Sequence, residues 1–144
     1  MTLLYAESSA VLRWLLNDRD GAAIGAVLGG ARGVVASVLT PVEVGRTLVR
    51  LASTGDVSLE VRARAWASAR RAFARWDLLE VTEGILERVT EPFPREPIRT
   101  LDAIHLATAS FASAELTPVT VLSTDDHVRE NALAMGLDVA PDDD

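Results

Sequence analysis

This 144-residue chain predicts an α/β fold, a central parallel sheet with helices on both faces. Three observations carry that prediction. Short apolar runs alternate along the chain with longer segments of helical periodicity, the pattern of βα units. The runs LLYA (3–6), GVVAS (33–37) and VTVL (119–122) read as short buried strands. No internal repeat and no linker divides the chain, so residues 1–141 are expected to form one domain and 142–144 an acidic, solvated tail.

The elements follow in order. LLYA is a strand, and SSAVLRWLL (8–16) a helix with Ser at its start. NDRDG (17–21) is a turn, and GAAIGAVLGG (21–30) a short helix weakened by glycine. After the strand GVVAS, a helix covers 39–54 and ends at Gly55. An Ala- and Arg-rich helix covers 58–76, and DLLEV (77–81) is a strand. A helix over 82–93 stops at the Pro92 and Pro94 region. The helix 100–115, the strand VTVL, a helix over 126–136 and an edge strand DVAP (138–141) complete the chain.

Composition removes several kinds of chemistry. The chain has no Cys, so disulfides, thiol catalysis and thiolate metal sites are excluded, and a reducing cytoplasm is the default compartment. All 14 basic residues are Arg, which disfavours a P-loop, a Schiff-base enzyme and a phospho-acceptor domain, each of which uses Lys. No apolar run approaches the ~20 residues of a membrane helix, and the N-terminus lacks the pattern of an export signal. The net charge of −7 argues against a general nucleic-acid coat. The charge is uneven, however: residues 46–75 carry seven Arg against Asp56 and Glu60. A solvated face on two helices is the plainer reading of that segment, and a local basic face the other.

Four acidic positions stand at helix starts or strand exits: Glu7, Glu43, Asp102 and Asp125. Each has a structural explanation of its own. Thr40, Pro41 and Glu43 suit a capping box, Asp102 complements a helix dipole, and Asp125 suits an N-cap, with Asp126 a first-turn acid. Glu7 is the hardest to explain structurally, because Ser8 or Ser9 could cap the helix without it. Ligands of parallel sheets bind beyond the carboxyl ends of the strands, where Glu7 and Asp125 would lie. Carboxylates that converge repel one another unless a cation joins them, and Mg²⁺ or Mn²⁺ suits that donor set. Such ions serve displacement at phosphorus. His105, three residues after Asp102, could line the site but reads better as a packing His. His127 reads as a surface residue, and Trp14, Trp66 and Trp76 as core or dimer contacts.

Four stretches in order, YAESSAVLRWL (5–15), SVLTPVEVGRTL (37–48), RTLDAIHLATA (99–109) and VLSTDDHVRENALAMGL (121–137), resemble the PIN-domain ribonucleases. More narrowly they resemble the VapC-type toxins of bacterial toxin–antitoxin pairs. The resemblance implies a PIN-like α/β/α sandwich and a metal-dependent endoribonuclease. It implies that Glu7, Glu43, Asp102 and Asp125 are the catalytic and metal-binding acids, with Ser8, Ser123 and Asp126 beside them. It also implies Mg²⁺ (or Mn²⁺), an RNA substrate, a cognate antitoxin and a homodimer. One departure is Glu7, where the family ordinarily has Asp. That departure supports the alternative of a non-catalytic PIN-like module that binds RNA or protein.

Overall fold

The computed structural model describes residues 2–143; Met1, and Asp144 of the expected tail, lie outside the described residues. The element order is β1 (Leu3–Ala6), α1 (Ser8–Leu15), α2 (Gly21–Gly29), β2 (Gly33–Ser37), α3 (Leu39–Ser53) and α4 (Leu59–Phe73). β3 (Asp77–Leu79), α5 (Glu83–Val89), α6 (Thr100–Glu115), β4 (Val119–Leu122), α7 (Asp126–Ala134) and β5 (Asp138–Ala140) follow. The strands form one sheet in the order β3-β2-β1-β4-β5, and every pairing is parallel. The predicted α/β/α architecture is therefore what the chain adopts.

Alternation along β1 assigns the two faces. Leu3 and Tyr5 point to the side covered by α5, α6 and α7. Leu4 and Ala6 point to the opposite side, where α1, α2, α3 and α4 pack. Val119 and Val121 of β4 join the first side and Leu122 the second. Both faces are thus covered, which explains why these strands read as unbroken apolar runs.

α6 is the most enclosed helix. Its residues Ala103 through Ala109 are all buried, including His105 and Thr108. A helix buried on nearly every side shows little amphipathic period, and its abundance of Ala lets neighbouring elements approach closely. Thr108 satisfies its hydroxyl within the helix by donating to the Ile104 carbonyl at 2.6 Å. At the other end of the packing scale, Gly21 opens α2 where a Cβ would stand 2.8 Å from the Arg13 carbonyl oxygen, so the α1–α2 turn requires glycine there.

Several boundaries differ from the sequence expectation. β3 stops at Leu79 rather than 81, because Thr82 accepts from the Ile85 amide and starts α5 from an extended conformation. α4 ends at Phe73, where the Arg75 and Trp76 amides turn back onto Ala72 and Phe73. α5 ends at Val89, closed by the Thr90 hydroxyl donating to the Glu87 carbonyl at 2.7 Å. The capping box expected at Thr40 and Glu43 does not form. α3 begins at Leu39, the first residue of the expected 39–54 span and two residues before Pro41, and the Leu39 amide donates to the Ser37 hydroxyl at 3.1 Å. The β2–α3 connection is so short that Val38 alone separates the two elements, and it takes the N-cap position without a side-chain cap. Thr40 is left inside the first turn, fully buried, its hydroxyl without a partner. Of the tryptophans, Trp66 and Trp76 pack edge-on against Phe73.

Leu106 is 1% exposed at the centre of α6. Leu106→Ala is expected to cost about 2–5 kcal/mol of stability by leaving a cavity beneath the sheet. Urea denaturation followed by circular dichroism measures this directly.

Candidate active site

The chain leaves β1 toward β2 and β3, then returns to the other side of β1 through β4 and β5. The strand order reverses between β1 and β4, and a parallel sheet opens a crevice beyond the carboxyl ends at such a point. The residues that follow these two strands are Glu7 and Ser123-Thr124-Asp125. The β1–β4 ladder runs right up to them: the Glu7 amide donates to the Leu122 carbonyl at 2.9 Å.

Glu7 is only 5% exposed. It is itself the N-cap of α1, in place of the serines that follow. Its carboxylate accepts from the Ser9 amide at 3.2 Å, from the Ser9 hydroxyl, and from the Ser123 hydroxyl at 2.7 Å. Glu7 therefore lies almost wholly inside the protein. Its charge is tolerated because three donors and the positive end of α1 surround it. All three donors are neutral groups. Ser9 also accepts from the Thr124 amide at 3.0 Å, and Ser123 from the Asp125 amide at 3.1 Å. The two strand ends are thereby tied together through a single carboxylate.

Glu43 projects from α3 into a second chain of contacts. Its Oε1 accepts from Ser8 at 3.0 Å and stands 2.5 Å from His105 Nε2. His105 Nδ1 is in turn 2.7 Å from the Tyr5 hydroxyl. His105 is therefore a buried residue that also touches the acidic site. Burial works to lower its pKa, but the hydrogen bond and charge of Glu43, with the charges of Glu7 and Asp102, outweigh it and raise the pKa. Tyr5 is held well above the ordinary tyrosine range by burial and by the charges of Glu7 and Glu43, so its phenol stays neutral.

Asp102 lies in the first turn of α6 and is half-buried. Its pKa is raised by burial, then by the charges of Asp125 and Glu7, against the lowering pull of His105 and Arg99. Asp125 is the N-cap of α7 and accepts from the Val128 amide at 3.1 Å. Asp102 and Asp125 line a cleft of about 340 Å³ whose rim includes Arg99 and His127. Asp126 is exposed and lines a different cleft.

The charges of Asp125 and Glu7 act on Asp102, and those of Glu43, Glu7 and Asp102 act on His105. Among the described residues, no Arg forms an ion pair with any of the four acids; His105 alone pairs with Glu43. Among the described residues, no three of them are grouped closely enough to form a ready-made cage for a metal. The donor chemistry nonetheless fits a hard cation, since Mg²⁺ commonly takes only one or two protein carboxylates and completes its shell with water.

Sequence reasoning missed the parts played by Tyr5, Ser9, Arg129 and Asn131. Asn131 is fully buried and clamps the segment before α6, accepting from the Arg95 amide at 2.9 Å and donating to its carbonyl at 3.1 Å. The signal for Tyr5 was its inward position in a strand, and for Ser9 its place two residues after a buried acid.

Comparison with known proteins agrees with this architecture. A sheet of five parallel strands with acids at the β1–β4 crevice is the arrangement of a PIN domain, and the PIN-domain family model matches residues 4–133. The chain is 32% identical over 139 residues to Ribonuclease VapC46 of Mycobacterium tuberculosis, covering 96% of this chain and 97% of that protein. It is 28% identical over 140 residues to Ribonuclease VapC35 of the same organism, covering 95% of each. A crystal structure of a VapBC-family toxin–antitoxin member, VapBC-5 of M. tuberculosis, superposes with a TM-score of 0.58 over 97% of both chains at 18% identity, which shows the shared fold. The chain belongs to the PIN-domain family and, within it, to the VapC-type ribonucleases.

Ser9→Ala removes one donor to Glu7 and the acceptor of the Thr124 amide. A loss of about 1–3 kcal/mol is expected from the polar groups left unpaired. Thermal unfolding of the variant beside the parent checks it.

Proposed function

We propose that this chain is a metal-dependent endoribonuclease, the toxin of a type II toxin–antitoxin module, which hydrolyses RNA phosphodiester bonds. What supports the reading is the placement of Glu7 and Asp125 at the ends of β1 and β4, with Asp102 near both and Glu43 joined to them through His105, and with no Arg paired to any of the four among the described residues. Uncompensated carboxylates in one crevice destabilise a fold, and a bound cation relieves them. The names of the relatives, each a ribonuclease, support the choice of RNA.

Glu7 and Asp102 would hold the principal Mg²⁺ or Mn²⁺, with Glu43 and Asp125 completing the site directly or through water. Such an ion supplies an acidified water and charge stabilisation at phosphorus. The chain's own residues do the positioning. Ser9 and Ser123 fix the Glu7 carboxylate, while Ser8 and His105 fix Glu43. Tyr5 holds the far side of the His105 ring and so sets the direction of Nε2 toward Glu43. Asp102 is half-buried and lines the cleft together with Asp125. Arg99 stands on the rim of the same cleft, where a phosphate of the RNA could meet it.

The partners follow from the surface. An apolar groove of about 510 Å³ lies between α3 and α4, lined by Pro41, Val42 and Trp66 and flanked by Arg46 and Arg62. That combination suits a protein segment with apolar and acidic side chains, such as a cognate antitoxin, and a homodimer is the further assembly we propose. No helix among the described residues is long and apolar enough to cross a membrane. We place the protein in the cytoplasm.

Asp102→Asn is expected to abolish cleavage of total RNA in Mg²⁺ or Mn²⁺ and to weaken Mn²⁺ binding measured by calorimetry. In EDTA the same variant should melt at or above the parent's temperature, because it removes a charge that Asp125 and Glu7 repel. Undiminished cleavage by Asp102→Asn would remove that residue from the mechanism. A folded parent that binds RNA or a partner but neither cleaves nor takes up Mn²⁺ would identify a non-catalytic PIN-like module instead.

A further inference from the structure

A second cleft, about 370 Å³ in volume, is lined in part by Ser123 and Thr124, the residues bonded to Glu7 and Ser9. Its cationic lining is Arg13 and Arg19 with Arg129, and its floor meets Pro141, where the chain emerges from β5. Arg129 is only 9% exposed. It donates through Nη1 to the Ser123 carbonyl at 2.9 Å, the residue that also holds Glu7. Its other terminal nitrogen, Nη2, donates to Asp143 at 3.2 Å.

We propose that this cleft is a second phosphate-binding subsite, which takes a backbone phosphate of the RNA beside the carboxylate crevice and which Asp142 and Asp143 of this chain occupy when RNA is absent. The inference rests on the ribonuclease reading above.

Three observations carry it. First, a guanidinium this enclosed needs an acceptor for each donor, and the acceptor at Nη2 is a side chain that is itself 94% exposed. An exposed aspartate making one such contact is weakly held, whereas a phosphate offers several oxygens to the same fork. Second, the sign of the cleft depends on the tail. Its lining carries three Arg against four Asp, namely Asp20, Asp126, Asp142 and Asp143. Without the two tail residues the Arg outnumber the Asp, and the cleft becomes attractive to an anion. Third, the location suits the substrate. An RNA strand that crosses a crevice of four carboxylates needs basic contacts beside it. This cleft supplies them beside Ser123, while Arg99 lines the cleft that holds Asp102 and Asp125. Arg13 is already drawn to an oxyanion there, bonded to Asp20 at 3.0 Å.

The test measures binding of a short mixed-sequence RNA by fluorescence anisotropy in Mg²⁺, with Asp102→Asn as the common background to prevent cleavage. The tail variant is D142N/D143N. A control with the same charge change, E83Q/E87Q, lies on α5, none of whose residues lines the cleft. A third variant adds R13Q/R19Q to the tail variant and leaves Arg129, whose guanidinium supports Ser123, untouched. The tail variant is expected to bind about 3–10-fold more tightly than the control at low salt, with the advantage fading as salt rises. The gain should vanish in the R13Q/R19Q combination, with unfolding temperatures confirming that each variant is folded.

Equal affinities of the tail variant and the control would overturn the subsite. So would a gain that persists without Arg13 and Arg19. In either case RNA binding by the background protein, with cleavage by the parent, leaves the ribonuclease reading intact. If the background protein binds no RNA and the parent cuts none, both readings fall together.

Discussion

The pairing of β1 with β4 is the constraint on which the rest of this structure depends. These strands are far apart in sequence, yet Leu3 to Ala6 lie in parallel register with Val119 to Leu122. That register sets Glu7 and Ser123 level with each other, one step beyond the last paired residues. A shift by one residue would exchange the faces of every side chain in the strand. Tyr5 would then leave α6 and Leu4 would leave α1 and α2. The apolar cores on the two faces therefore enforce the same register that assembles the crevice. Packing and function are specified by one set of contacts.

The crevice is built from carboxylates held in place by hydrogen bonds. Two serine hydroxyls and one backbone amide satisfy Glu7, and a serine and a histidine satisfy Glu43. The arrangement orients both carboxylates, and only Glu43 has a basic partner among the described residues. Arg129 fits the same pattern: it lies close by yet spends its donors on a carbonyl and on the tail, not on the acids of the crevice. Buried polar groups of this kind are costly unless fully partnered, so the network of Tyr5, His105, Glu43 and Ser8 is complete along its length. The one described side-chain atom that breaks the rule is the Thr40 hydroxyl. It sits where the abrupt β2–α3 junction replaced the expected cap, and nothing in the structure supplies it with a partner.

Much of the fold was legible because its cues are local. The strands 3–6, 33–37 and 119–122 and the helix 100–115 fall where apolar runs and periodicity put them. Asp125 caps α7 and Asp102 stands in the first turn of α6, as residue type and position suggested. The errors were also local in origin. A Thr-Pro-Val-Glu stretch has the form of a capping box, and local chemistry offered no sign that the helix would start at Leu39 with Val38 at the N-cap. The ends of α4 and α5 depended on turns closed by Trp76 and Thr90, which propensity does not distinguish from continued helix.

The sequence by itself determined the parallel α/β architecture, the four acids and the absence of thiol or lysine chemistry. These follow from residue type and spacing, which need no knowledge of contacts. Only the tertiary structure decided that Glu7 is a buried cap and that Glu43 is held by His105. It also decided that Tyr5 stands behind that histidine and that Asp143 reaches Arg129. Each of those pairings joins residues distant in the chain or placed by the packing of separate elements. Hydrogen-bond geometry between such residues is set by strand register and helix placement, and no local pattern encodes it.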